Sequence, residues 1–272
     1  MKKAFPEVKQ QVLELFNDKH SKEIFDVAER MQRPQTETIP VNDGDQVKDL
    51  QVTRMGLGPL DTPKGDIWLF NFHVSDEWQK YSVLVKCSKV NYDTLKPIFL
   101  NKEELLIRID SGCETGQMFL DNTCECREQL HQTMDQIIDH GEGIIVNIPA
   151  QDGRGKGLPF KLATLFLQKE LKLHTVQSAA FLAGEDDIDV RTFLGVMGIV
   201  KYFGIDPAQT KINLATNNPD KMRVFGDNGF DVVNTPVEIT PTEHTIEHLA
   251  AKKHFLKHQL NGNGADKGPV VH

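Results

Sequence analysis

The apolar residues of this chain keep different periods in different stretches. Residues 1 to about 55 are polar, and Val12, Leu13, Leu15, Phe16, Ile24, Phe25, Val27 and Ala28 recur at the spacing of helix faces. PQTETIPVNDGD at 34–45 carries the breakers Pro34, Pro40 and Gly44 and reads as a linker. Short apolar runs follow. DIWLFNF (66–72), YSVLVKC (81–87) and ELLIRID (104–110) read as strands, with Pro63, Lys64 and Gly65 as a bounding turn. Leu130, Met134, Ile137 and Ile138 fall at i, i+4, i+7 and i+8, a helix face that Gly141 ends, and GIIVNIP (143–149) reads as a buried strand. Helical patterns at about 158–172 and 190–203 precede a strand at 212–216. A helix from Pro219, a short strand at 231–233 and a last helix from about Thr242 to Gln259 complete the pattern. The tail at 261–272, NGNGADKGPVVH, holds few core-forming residues and reads as disordered. Strands alternate with helices after residue 104, which predicts an α/β or α+β domain over 56–260 behind a helical N-terminal extension over 1–55.

Composition narrows the class. A chain of 272 residues can bury a full core as one large domain or two smaller ones. Its 39% hydrophobic and 26% charged residues are ordinary for a soluble globular protein. Neither a membrane-length apolar run nor a signal peptide is present: MKKAFPEVKQQ is too polar after its two lysines. Four cysteines without a signal point to the reducing cytoplasm, where thiols stay available to metals. A net charge of -8 argues against nucleic-acid binding, so a small anionic ligand would need a local basic pocket.

Three of the cysteines lie within fourteen residues, as C-x10-C-x-C at Cys113, Cys124 and Cys126. Three thiolates without a nearby fourth ligand suit a zinc ion that keeps one position open for water, the arrangement of a catalytic site. The alternatives are unrelated cysteines or a disulfide. Cys87 ends a predicted strand and reads as a small core residue.

Other stretches carry weaker signals. QDGRGKG at 151–157 lies between a strand and a helix; its glycines allow close backbone approach, and Arg154 and Lys156 supply charge. It reads as a phosphate cradle or as a solvated turn. It fits neither the Walker A pattern nor G-x-G-x-x-G. ATNNPDK at 215–221 is a second strand-to-helix junction, with Thr216 and Lys221 as ligand contacts or an ordinary helix cap as the alternative. Asp189 and Arg191, two apart in GEDDIDVRTF, either share a pocket or belong to a solvated charged loop.

Taken in order, RID-x-x-C-x-TG, C-x-C, Gln129, QDGRGKGL, Asp189-x-Arg191 and TNNP-x-K, preceded by TPKGD at 62–66, resemble the GTP cyclohydrolase II family over about residues 58 to 258. The resemblance implies a mixed sheet with flanking helices and one Zn2+ per chain on Cys113, Cys124 and Cys126. It implies nucleotide contacts from Arg108, Gln129, Asp152, Arg154, Thr175, Thr216 and Lys221. Asp189 matches the family's proton acceptor. Arg191 matches an arginine proposed to attack the α-phosphate; the alternative is a clamp for phosphoryl charge, because a guanidinium stays protonated. The implied reaction is zinc-assisted hydrolysis of the imidazole ring of GTP, with Mg2+ on the triphosphate, loss of pyrophosphate and release of formate. A cytoplasmic homodimer in the riboflavin pathway goes with it.

The chain departs from the family pattern at informative places. Asp110 stands for a histidine and Gly112 for a glutamate; Asp152 also replaces a glutamate, and Arg127 a glycine. Two extra residues fall in the 183–188 loop, the first 50 residues have no counterpart in the minimal enzyme, and Leu165 stands where a tyrosine lies near the zinc, which predicts a product that keeps its formyl group unless the alignment slips by one residue to Thr164. The other readings are a paralogue acting on another nucleotide or base, in pyrimidine breakdown or specialised metabolism, and a nucleotide-binding module without turnover.

Overall fold

The computed structural model describes residues 4–75, 80–101, 103–149, 151–184, 187–237, 239, 240, 242 and 245. Helices α1 (Ala4–Leu15) and α2 (Lys19–Met31) come first, as the apolar spacing predicts; Asp18 caps α2 by accepting from the Ser21 amide. The predicted linker and the helical reading of 46–55 need correction. Residues 35–43 form strand β1 (Gln35–Asp43), paired antiparallel with the long β2 (Gln46–Thr62). The physical reason is position. β1 is an edge strand, where a proline is tolerated, and the breaker Gly44 merely turns the hairpin at φ 58°. Val41 and Leu50, one from each strand, are buried.

Strands β3 (Gly65–Val74) and β4 (Lys80–Lys86) continue the antiparallel meander. A two-stranded ladder, β5 (Lys89–Asn91) with β6 (Lys96–Ile98), stands apart. The main sheet then turns parallel. It runs β1-β2-β3-β4-β8-β7-β9-β10, where β7 is Glu104–Asp110, β8 Gly143–Asn147, β9 Lys211–Ala215 and β10 Val232–Thr235. β7, β8, β9 and β10 are mutually parallel, and β8 joins β4 antiparallel.

Helices cover both faces of this mixed sheet. Residues 105–110 of β7 are all buried, as a parallel strand covered on both sides requires. On one face lies α7 (Leu194–Tyr202), with Val196, Met197, Ile199, Val200 and Tyr202 buried in the main core. Tyr202 meets Phe72 edge-on at 5.2 Å, and Phe203 meets Phe70 at 5.1 Å. On the other face α4 (Cys126–His140) presents Ile137 to Leu106 and Ile145. Gly141 ends α4 at φ 85°, as the sequence predicts. The pattern at 190–203 overshoots, since α7 begins at Leu194. α5 (Leu158–Leu171) is where expected, and α6 (Thr175–Ala183) has no counterpart in the sequence reading. The predicted last helix and tail lie outside the described residues, apart from Thr242 and Thr245.

Topology fixes where a ligand can enter. From the C-terminal end of β7 the chain runs through α3 (Glu114–Gln117) and α4 to β8; from β9 it runs through α8 (Pro219–Gly226) to β10 on the opposite side. Diverging connections leave a crevice outside the carboxyl ends of β7 and β9. Asp110 to Cys113 form one wall and Thr216 to Lys221 the other.

Candidate metal and anion site

The cysteine triad is assembled by two short turns. Gly112 sits at φ 56°, and a Cβ there would lie 2.5 Å from the Ile148 carbonyl oxygen, so only glycine fits between β7 and Cys113. The Asp110 carboxylate accepts from the Gly112 amide at 3.2 Å. Cys124 precedes α4 and Cys126 opens it. The three Sγ atoms lie within 4.8 Å of one another, with Cys113 and Cys124 at 3.6 Å. A disulfide needs about 2.0 Å. Sulfurs bound to one tetrahedral zinc at about 2.3 Å stand roughly 3.8 Å apart, so the triad fits a metal and excludes the disulfide reading. Gly116 completes the cradle: a Cβ there would meet Cys124 Sγ at 2.5 Å and Cys113 Sγ at 3.1 Å. Hydrogen bonds from Cys124 and Cys126 hold the Cys113 thiol far below its ordinary range against the effect of burial, with Lys161 assisting. Cys124, donating to Cys113, is pushed up to about 11. Cys87 takes no part in the cluster, packs against the main core and is raised to about 11 by burial.

A cavity of about 200 Å3 opens beside the triad. The three cysteines line it together with Arg108, Gln129, Asp152, Arg154, Thr175, Arg191, Thr216 and Lys221. Among the sequence-predicted site residues only Asp189 stands outside this lining, behind Arg191. Its Oδ1 accepts from Arg191 Nε at 2.8 Å, and its Oδ2 accepts from Nη2. Burial opposes ionisation of Asp189, but the bonds from Arg191 and the charge of Arg154 hold its carboxyl below the usual range. The glycine loop meets this pair: a Cβ on Gly155 would come within 3.1 Å of the Arg191 amide, and Val190 donates to the Arg154 carbonyl at 3.0 Å. Arg154 is reached through a left-handed turn at φ 61°, and its Nη1 is buried without a partner among the described residues. Of the two cations in that loop, Lys156 lies outside the cavity lining, near Phe160.

Arg108 and Lys221 also line the cavity. Arg108 Nη2 donates to Asp110 at 3.2 Å and to Gln129 at 3.3 Å, and its Nε is buried without a partner among the described residues. Asp110 also accepts from Asn147 at 2.6 Å and Gln117 at 2.8 Å. The aspartate in the histidine position is therefore saturated with donors and serves to hold Arg108. Lys221 Nζ donates to the Ile109 carbonyl at 2.8 Å. Burial, then repulsion from Arg191 and Arg108, lowers it to about 7, with Asp110 and Cys126 opposing.

The Lys221 shift has a testable sign. Lys221 loses its charge as pH rises through about 7, and a bound polyanion draws the proton back. Binding of inorganic triphosphate above that pH is expected to take up a proton and to weaken by up to about tenfold per pH unit. Calorimetry between pH 7.5 and 8.5, in buffers of different ionisation heat, reads the uptake as the difference between wild type and Lys221→Met, which cancels the triphosphate's own ionisation. No proton uptake, or an unchanged uptake in Lys221→Met, would contradict the assignment.

Sequence reasoning missed Lys161, which touches both Cys113 and Asp152. One signal was available: Lys161, Thr164, Leu165 and Gln168 form one i, i+3, i+4, i+7 face of α5, and all four line the cavity. Leu165 therefore faces the site, whereas the Thr164 hydroxyl donates to its own helix at Lys161 O, 2.7 Å away. Gln151, also in the lining, carries a buried Oε1 without a partner among the described residues.

Fold and site together define an α/β domain with a metal-competent thiolate triad and an anion pocket at its sheet crevice. The family profile described as GTP cyclohydrolase II matches residues 54–236, and the chain belongs to that family. It is 34% identical over 168 residues to riboflavin biosynthesis protein RibBA of Parabacteroides distasonis, covering 61% of this chain and 40% of that protein. Similarity to GTP cyclohydrolase-2 of Archaeoglobus fulgidus is 32% over 167 residues, 59% of this chain and 41% of the other. Against GTP cyclohydrolase-2 of Streptomyces coelicolor it is 31% over 226 residues, 83% of this chain and 94% of the other. The chain thus spans about two fifths of the length of the first two relatives. Among the described residues no helix is long and apolar enough to cross a membrane.

Proposed function

We propose that this chain hydrolyses GTP, opening the imidazole ring of the guanine and releasing pyrophosphate, and that the formyl group stays on the product. The observation that carries this reading is one cavity lined both by the thiolate triad and by Arg108, Arg154, Arg191 and Lys221. The relatives named GTP cyclohydrolase-2 support the substrate. Cys113, Cys124 and Cys126 would hold one zinc ion, which when bound supplies a Lewis acid that makes water nucleophilic near neutral pH. Arg108, Arg154 and Lys221 receive the phosphates, with Mg2+ accompanying the triphosphate, while Gln129 and Asp152 border the base and metal end. Thr175 and Thr216 offer hydroxyls to the nucleotide. Arg191 acts as a clamp on phosphoryl charge: its Nε and Nη2 are taken by Asp189, which keeps it protonated and oriented. Asp189, ionised below the usual range, is too weak a base to accept a proton near neutrality. A cytoplasmic homodimer completes the reading.

Formyl retention rests on Leu165. It faces the cavity and has no donor or acceptor with which to orient a formamide or a second water, and the hydroxyl of neighbouring Thr164 is engaged by its helix. Pure protein with GTP and Mg2+ is expected to release pyrophosphate, lose purine absorbance and yield a product whose mass includes the formyl group. Leu165→Tyr is expected to gain formate release. Stoichiometric formate from the wild-type chain would refute retention; the absence of both pyrophosphate and an absorbance change would refute GTP as substrate.

A further inference from the structure

We propose that Lys161 is a positioning residue of the metal centre, tying the Cys113 thiolate to Asp152 and setting how strongly the triad donates to its cation. Its Nζ lies 2.8 Å from Cys113 Sγ and 3.0 Å from Asp152 Oδ1. Asp152 is buried, and its Oδ2 accepts from the Glu114 amide, next to Cys113, at 3.2 Å. One ammonium thus joins the helix α5, the glycine loop and the turn that carries the first thiolate. Gly153 makes the approach possible, because a Cβ there would lie 3.0 Å from the Lys161 amide. Three thiolates with a divalent cation carry a net charge of one negative unit, and the ammonium sets its positive charge against the Cys113 sulfur while it also pairs with Asp152. A charge-assisted hydrogen bond to a thiolate withdraws electron density from the sulfur, so the bound cation becomes the stronger Lewis acid. An ion pair with Asp152 alone would leave the sulfur unaffected, and that difference can be measured.

The inference rests on the reading that the three cysteines hold a metal, so the test uses cobalt(II) in place of zinc, with an optical readout that needs no turnover. Wild-type protein should show an intense near-ultraviolet sulfur-to-cobalt band. In Lys161→Met the band should move to longer wavelength at similar intensity, because the sulfur loses its cation. Zinc affinity, measured against a chelator, should fall by about 10- to 100-fold, because loss of the tie to Asp152 frees the turn that holds Cys113, which outweighs the stronger donation of the sulfur. Lys161→Arg should restore most of both. Lys161→Gln, polar but neutral, should shift the band part of the way, and it serves if the methionine variant does not fold. A band position unchanged in Lys161→Met or Lys161→Gln would overturn the proposal. A wild-type chain with no sulfur-to-cobalt band would overturn the metal reading instead, so the two failures are distinguishable.

Discussion

Cys124→Ser protein is expected to purify without zinc, whereas Cys87→Ser keeps one zinc per chain. Cys124 lies 3.6 Å from Cys113 in the cluster, at the turn into α4. A serine hydroxyl there is a hard, un-ionised oxygen near neutral pH, and two remaining thiolates make a poor zinc site. The fold should survive the change, since the triad stands at the mouth of the sheet crevice while the main core is formed by residues such as Ile107, Ile144 and Val196. Circular dichroism would confirm that. Cys87 is the internal control: it packs against that core and lies outside the group of three sulfurs that converge within 4.8 Å. Metal analysis of the two variants decides the matter. Full zinc in Cys124→Ser would end the metal-site reading, and zinc lost only from Cys87→Ser would move the site elsewhere.

How far the fold was legible depended on how each element is buried. β7 and β8 announced themselves because both faces are covered and each carries an apolar run, 105–107 and 144–146. α4 was legible from the spacing of Leu130, Met134 and Ile137. β1 was not: at the sheet edge its exposed face carries Thr36, Thr38 and Pro40, and the inward face adds only Ile39 and Val41 to Gln35 and Glu37, so the segment carries little apolar signal. α6 was missed because its buried positions are Ser178, Ala179 and Ala183, residues too small or polar to mark a helix face. The cysteines and the motif order were legible because spacing along the chain carries them. Lys161 was not, since a lysine on a helix looks solvated until a partner 48 residues away is placed against it. Gly112 shows the reverse case. It departs from the family pattern, yet its φ of 56° and the nearby Ile148 oxygen admit no side chain, so the departure is built into this backbone.

Arg191→Ala is expected to lower pyrophosphate release by at least about 10^3-fold, the scale of an arginine that stabilises phosphoryl charge, while zinc content and fold persist. Arg191 lines the cavity from a loop before α7, and its Nη1 reaches Ser111 Oγ at 3.4 Å, beside the triad turn. Its removal leaves Asp189 without its main partner, but that carboxylate is partly exposed and retains the field of Arg154, so the structural cost should be small. Arg191→Lys separates charge from geometry: lysine keeps the cation but cannot present Nε and Nη2 together to Asp189, so an intermediate loss is expected. Asp189→Asn tests its partner. If Asp189 orients Arg191, the variant should turn over slowly with an unchanged pH profile, because a carboxyl held below its usual range is ionised throughout the neutral region and contributes no step there. An acidic limb of the wild-type profile, activity lost as pH falls, that disappears in Asp189→Asn would instead make it a proton acceptor. Near-normal pyrophosphate release from Arg191→Ala would remove Arg191 from the chemistry, leaving Arg108, Arg154 and Lys221 as the cations at the phosphates.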